Sequence, residues 1–230
     1  MSQLAAGEQE TLSRFRNMLA SAGDVETSPG LAPPLWQRLQ ELRTLLRQAD
    51  PGRLAERTGA SLAEDSLYLL VWEQPVAVDL CDFVARRPDT GLELDPLLQV
   101  LLAYYLYTAD GTLPAGTWIS FTELPDGLFY AQAFQSYTGH RLSVTFGNDV
   151  QTFTTAALAA GGKSVSFGDR AFAFSLLPWV SLLVVCWQGD EDFPASYRIL
   201  FDANAGHHLT TDACAVLGAV LTRRLLRRSS

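Results

Sequence analysis

The side chains of this 230-residue chain that titrate naturally near neutral pH are three histidines, His140, His207 and His208. Two of them are adjacent and lie between Asp202 and Asp212. An imidazole beside a carboxylate can move a proton, and with a further ligand it can hold a metal. Adjacent histidines on a strand point to opposite faces, so the pair is not by itself a chelate. Asp202 ends an apolar segment, where the sheet can hold a side chain that still reaches water. Ala203, Asn204, Ala205 and Gly206 are small or turn-forming, so a ligand can approach their backbone closely. These features make Asp202, His207 and His208 candidate binding or acid–base residues, with the turn bearing Glu123 expected beside them. Trp118 and Tyr130, in a stretch with Phe121, Phe129 and Phe134, would supply an aromatic wall. A plain strand-to-helix turn and a core of packed aromatics account for the same residues, and both readings stay open.

Other chemistries lack their signatures. There is no Gly-x-Ser-x-Gly elbow and no Gly-x-Gly-x-x-Gly after a strand. Gly162-Lys163-Ser164 resembles the end of a phosphate-binding loop, but Ala157 stands where the pattern needs glycine. The segment also runs from helix into strand, the reverse of a phosphate cradle. Lys163 is thus read as a solvated charge beside a turn. No Cys-x-x-Cys and no His-Glu-x-x-His occurs, and the expectation is no metal site. Asp190, Glu191 and Asp192 are three successive carboxylates after an apolar run. They are expected to face water, or to dock a basic partner.

The formal charge is −8, which argues against non-specific nucleic-acid binding. Its distribution is uneven. Residues 61–222 carry 6 basic and 18 acidic side chains, and the last eight residues carry four arginines. Hydrophobic residues make up 48 % of the chain, a globular composition. Cys81, Cys186 and Cys214 are odd in number and far apart, as expected of reduced thiols in a cytoplasmic protein. Met1 to Glu10 shows no secretory signal pattern. The apolar run Ala171–Trp187 is interrupted by Ser175, Pro178 and Ser181, so it is read as buried strands and not as a membrane span.

The elements that must position these groups follow from periodicity. A short helix is expected over residues 8–20, then a linker over 21–33. Leu35, Leu39, Leu42 and Leu46 repeat at helical spacing after Pro34, with Arg38, Arg43 and Arg47 read as a solvated face. Asp50-Pro51 opens another short helix through Arg57. Leu67–Trp72 and Val76–Leu80 read as a hairpin. Asp95-Pro96 opens a helix, Leu97–Tyr107, apolar on nearly every face and hence buried. Trp118–Phe121 reads as a strand, and Phe129–Tyr137 and Thr152–Ala160 as helices. Four strands are expected over Ser164–Phe167, Ala171–Leu176, Val180–Trp187 and Tyr197–Phe201. A terminal helix over Asp212–Arg227 should dock through Cys214, Leu217, Leu221 and Leu225. Its arginines, Arg223, Arg224, Arg227 and Arg228, should lie outside and complement the helix dipole. The pattern predicts an α+β fold: an antiparallel or mixed sheet packed with helices, an N-terminal helical preface and a C-terminal amphipathic helix. The preface is placed at residues 1–59 and the domain at 60–230.

Several spaced blocks resemble one family, domain of unknown function 3786. The central block is Gly116-Thr117-Trp118-Ile119-Ser120-Phe121-Thr122-Glu123-Leu124-Pro125-Asp126-Gly127-Leu128-Phe129-Tyr130, followed by Ala133-Phe134. The apolar helix Leu101–Tyr107, Gly161-Gly162, Phe167-Gly168-Asp169, Leu177-Pro178, Trp187 with Gly189–Pro194, and Leu200-Phe201-Asp202 before His208-Leu209 follow the family's order. The likeness spans roughly residues 55–227, a typical domain length. It implies a soluble bacterial or archaeal protein and brings no established activity or cofactor. Some relatives carry a cysteine-rich N-terminal segment, whereas residues 1–60 here hold no cysteine. The expectation is a non-catalytic module that binds a small molecule, a cofactor or a protein partner in service of a metabolic enzyme. The alternative is an enzyme using Glu123, Asp202, His207 and His208.

Overall fold

The computed structural model describes residues 33–228. The helix expected over residues 8–20, and residues 21–32 of the expected linker, lie outside them. Helix α1 (Pro33–Leu46) buries Leu35, Leu39, Leu42 and Leu46 as one stripe. Arg43 lies on that stripe, four residues after Leu39 and three before Leu46, and is only 6 % exposed. Its Nε donates to the Phe83 carbonyl at 3.1 Å and its Nη2 to Gln99 Oε1 at 3.0 Å. Reading Arg38, Arg43 and Arg47 as a solvated face is therefore wrong for Arg43, because position on the helix outweighed charge. Helix α2 (Pro51–Thr58) is capped by Asp50, whose Oδ1 accepts from Arg53 N at 2.8 Å. Gly59 ends it at φ +65°, and the Trp179 ring packs so closely there that a Cβ would sit 2.7 Å from it.

Four strands follow in one antiparallel sheet, ordered β1 (Ser61–Ala63), β2 (Ser66–Val71), β3 (Gln74–Asp79), β4 (Ala85–Arg86). The hairpin β2–β3 matches the expectation; β1 and β4 are too short for their periodicity to be read. Helix α3 (Pro96–Thr108) takes its cap from Asp95 and is buried along most of its length. Its Tyr105 hydroxyl donates to the Thr58 carbonyl at 2.8 Å and so ties α3 to α2.

The second sheet is also antiparallel, ordered β5–β9–β8–β7–β6. Its strands are β5 (Trp118–Ser120), β6 (Lys163–Val165), β7 (Arg170–Leu177), β8 (Val180–Trp187) and β9 (Ser196–Asp202). Central β8 is apolar without alternation because both of its faces are covered. Leu182, Val184 and Cys186 join the main core, and Leu183 and Val185 join a smaller cluster with Ala171 and Leu200. Strand β6 ends at Val165, short of the expected Phe167, because Gly168 at φ +56° turns the chain and Asp169 N bonds the Cys186 carbonyl.

Helices α4 (Gly127–Tyr137), α5 (Gly139–Phe146) and α6 (Val150–Ala159) fall between β5 and β6. α5 is not among the helices expected from periodicity; it is one short helix, set off from α4 by the non-helical backbone of Thr138 (φ −115°, ψ −93°). The last helix, α7 (Thr211–Arg227), is buried on every side from Ala213 to Ala219. Gly218 makes this fit possible: a Cβ there would stand 2.7 Å from the Phe134 ring. The expected single stripe through Cys214, Leu217, Leu221 and Leu225 is buried, but the helix is central: its first two residues and parts of the stretch from Val220 are partly exposed, and Arg227 is exposed. The result is an α+β fold of two antiparallel sheets joined by helices. Among the described residues no helix is long and apolar enough to cross a membrane.

Candidate functional site

The β2–β3 turn is made by Trp72 and Glu73, at φ +54° and +61°. A two-residue turn with both residues left-handed favours Asn-Gly, and a bulky residue there is strained by roughly 1–2 kcal/mol. The turn holds because its surroundings bind it on three sides. Trp72 N donates to the Leu176 carbonyl of β7 at 3.0 Å. Glu73 Oε1 lies 2.7 Å from Lys163 Nζ, an exposed ion pair. The guanidinium carbon of Arg224 sits 4.9 Å from the centre of the Trp72 ring. Backbone strain of this kind gathers at functional sites, and here it directs an indole toward the end of the last helix.

A cavity of about 630 Å³ opens at that joint. Among the described residues its cationic lining is Arg87, Arg223, Arg224, Arg227 and Arg228, and its carboxylate is Asp95. Asp95 Oδ1 is already engaged, accepting from Leu97 N at 2.8 Å as the cap of α3. Trp72, Leu97, Leu98 and Val220 supply apolar wall. A helix C-terminus carries about half a negative charge, so Arg224, Arg227 and Arg228 at the end of α7 exceed what the dipole calls for. Burial first, and then the charge of Arg228, push the Arg224 pKa down from its ordinary value. Its Nε is buried and finds no hydrogen-bond partner among the described residues. The expectation that the arginines of α7 lie outside is therefore corrected for Arg223 and Arg224, which are half-buried. A cluster of like charges in a concave wall, on a chain of net charge −8, makes a local positive field that draws anions.

The residues singled out from sequence are placed elsewhere. Asp202, Asn204, His207 and His208 gather around the segment 110–116. Asp202, 2 % exposed, accepts from Ala115 N and Gly116 N at 2.8 Å each, and from Asn204 N at 3.1 Å. His208 is fully buried, with Nε2 2.7 Å from the Thr112 carbonyl. A carbonyl only accepts, so Nε2 carries the proton, and Nδ1 is left buried without a partner among the described residues. Burial pushes the His208 pKa down, against the opposing bond to Thr112. His207 is exposed, its Nδ1 2.8 Å from Asp110 Oδ2. The Thr112 hydroxyl and backbone N–H, and then His207, hold the Asp110 carboxyl well below the usual carboxylate range.

Glu123 is turned back on its own chain. Its Oε2 accepts from Ser120 N at 2.7 Å and from Ser120 Oγ at 2.8 Å, which lowers its pKa. The loop before α7 does lie beside the Glu123 turn, since Thr211 Oγ1 donates to the Pro125 carbonyl at 2.6 Å. Trp118 is half-buried, packed on the smaller cluster opposite Asp202, and Tyr130 is buried in the main core. Asp190, Glu191 and Asp192 are exposed. Asp190 Oδ1 accepts from Phe193 N and Asp192 N at 2.9 Å, and these bonds lower its pKa. Among the described residues no three of His, Cys, Asp and Glu are grouped to hold a metal. The sequence signal for the arginine groove was the basic tail of an otherwise acidic chain; Trp72 and Arg87 gave none.

No curated protein and no solved structure matches the chain. The family described as Domain of unknown function (DUF3786) matches residues 50–224, from the cap of α2 to Arg224 of the groove. The match covers both sheets and the whole arrangement of Trp72, Arg87 and Asp95, and the chain belongs to the DUF3786 family.

Proposed function

We propose that this domain is a non-catalytic binding module whose ligand is a small anion, a phosphorylated or polycarboxylate metabolite, held in the arginine groove. The observation that carries this reading is the set of Arg87, Arg224, Arg227 and Arg228 facing, among the described residues, one already engaged carboxylate around a cavity of about 630 Å³. Arginine forks match phosphate and carboxylate oxygens bidentately, and Trp72 fixes one of them in advance. A concave site suits a small molecule better than a flat protein surface. Of the groups an acid–base enzyme would need, Asp202 spends both carboxylate oxygens, His208 its Nε2 and Glu123 its Oε2 on backbone groups or a neighbouring serine. That supports the binding reading over the enzymatic one.

Calorimetric titration with inorganic phosphate, pyrophosphate and citrate tests it. Binding is expected to weaken as salt rises, and to fall about tenfold in the Arg227→Gln/Arg228→Gln double variant. Both side chains are exposed, so the variant should fold as the parent does. Absence of binding by all three anions, or unchanged affinity in the variant, would overturn the proposal.

A further inference from the structure

The groove continues past the arginines. A second chamber of about 320 Å³ shares Trp72, Gln74, Arg87, Leu98 and Arg224 with it. The walls that belong to this chamber alone are mostly apolar: Val71, Pro75, Val76, Pro88 and Leu94, with exposed Asp89 the single charged side chain among them. Val71 and Val76 come from the two strands of the hairpin, and Leu94 and Leu98 flank the start of α3. Trp72 and Arg224 therefore stand at a junction, with guanidiniums on one side and hydrocarbon on the other.

We infer that the ligand is an amphiphile: a compact anionic head, phosphate or carboxylate, among the arginines, and an apolar body in the side chamber. The inference rests on the anion-binding reading and deepens it. A purely polar anion would leave the Val71, Val76, Leu94 and Leu98 wall unused. A polar ligand group pushed into that chamber would lose its water, with few side chains there to replace it. An alkyl body gains instead, by about fourfold in affinity for each methylene fully removed from water. The indole suits both parts, since it lines both chambers and already holds a cation. The ligand is a free amphiphile and not a bilayer lipid, because the apolar chamber is a recess in the fold and not a projecting face.

Titrations of the full chain with octyl phosphate, octanoate, inorganic phosphate and 1-octanol test this. Octyl phosphate or octanoate should bind at least about tenfold more tightly than inorganic phosphate. Leu94→Gln, at a partly exposed wall of the apolar chamber alone, should remove that advantage while leaving inorganic phosphate binding within about twofold. Equal affinities for octyl phosphate and inorganic phosphate would overturn the inference and leave the anion site standing. Octanol binding as tightly as octyl phosphate would also overturn it, as would sedimentation with phosphatidylglycerol vesicles without capture of octyl phosphate. If neither inorganic phosphate nor the amphiphiles bind, the anion reading itself falls.

Discussion

Arg224 lies over Trp72, with the guanidinium carbon 4.9 Å from the ring centre, and this contact joins the last helix to the tip of the β2–β3 hairpin. The two residues are 152 positions apart in sequence and hold each other's orientation. Arg224→Lys keeps the charge but loses the planar stack. It should cost about 0.5–1 kcal/mol of stability and weaken anion binding several-fold. Urea denaturation and calorimetry on the same preparation would check both; unchanged anion affinity would show that the stack does not position the cation.

The turn beneath that contact should be improvable. Glu73→Gly removes a side chain from a residue at φ +61° and also removes the pair with Lys163. Relief of about 1–2 kcal/mol of left-handed strain outweighs an exposed ion pair of about 0.2–1 kcal/mol. A net gain of about 0.5–1 kcal/mol is expected from the denaturation midpoint. A loss of stability would mean that the ion pair, and not its neighbours' packing, sustains the turn.

Much of this architecture is legible in the sequence. Leucine spacing marks α1, the continuous apolar run marks β8, and Asp50-Pro51 and Asp95-Pro96 mark two helix starts. The candidate site is not legible, because its parts are far apart and each is bland alone. Arginines at a helix end read as dipole complements, and Trp72 reads as the end of a strand. Asp202 and His208 stand out by residue type, yet nothing local shows that segment 110–116 will occupy their polar atoms. Arg43 shows the same limit from the other side: its charge suggests water, while its place in the leucine stripe buries it.

Asp202 separates a structural role from a ligand-binding one. Asp202→Asn replaces an acceptor oxygen with a donor facing backbone N–H groups of Ala115, Gly116 or Asn204. A loss of about 2–3 kcal/mol is expected, with anion affinity within about twofold of the parent. A stable variant that has lost ligand binding would move the functional site to the 202–212 loop.

His208 should give the fold an acid limb. Its folded pKa is depressed by burial below the ordinary 6.5, so below that pH the unfolded chain binds more protons than the folded one. Its contribution is fully present above about pH 6.5 and is lost as pH falls toward the folded value. Chemical denaturation at about pH 7.5 and pH 5.5 should show lower stability at the acid value. His208→Gln should reduce that difference; an identical difference in the variant would assign the limb to other groups.

The central claim is that an anion sits among the arginines beside Trp72, and anomalous diffraction from crystals soaked in tungstate, a phosphate mimic, tests it most directly. The account predicts one dominant peak within hydrogen-bonding reach of Arg224 and at least one of Arg87, Arg223, Arg227 and Arg228, weakened in crystals of Arg227→Gln/Arg228→Gln soaked at the same concentration. A well-ordered groove with no tungstate in it, or a dominant peak at the 202–212 loop instead, would contradict it.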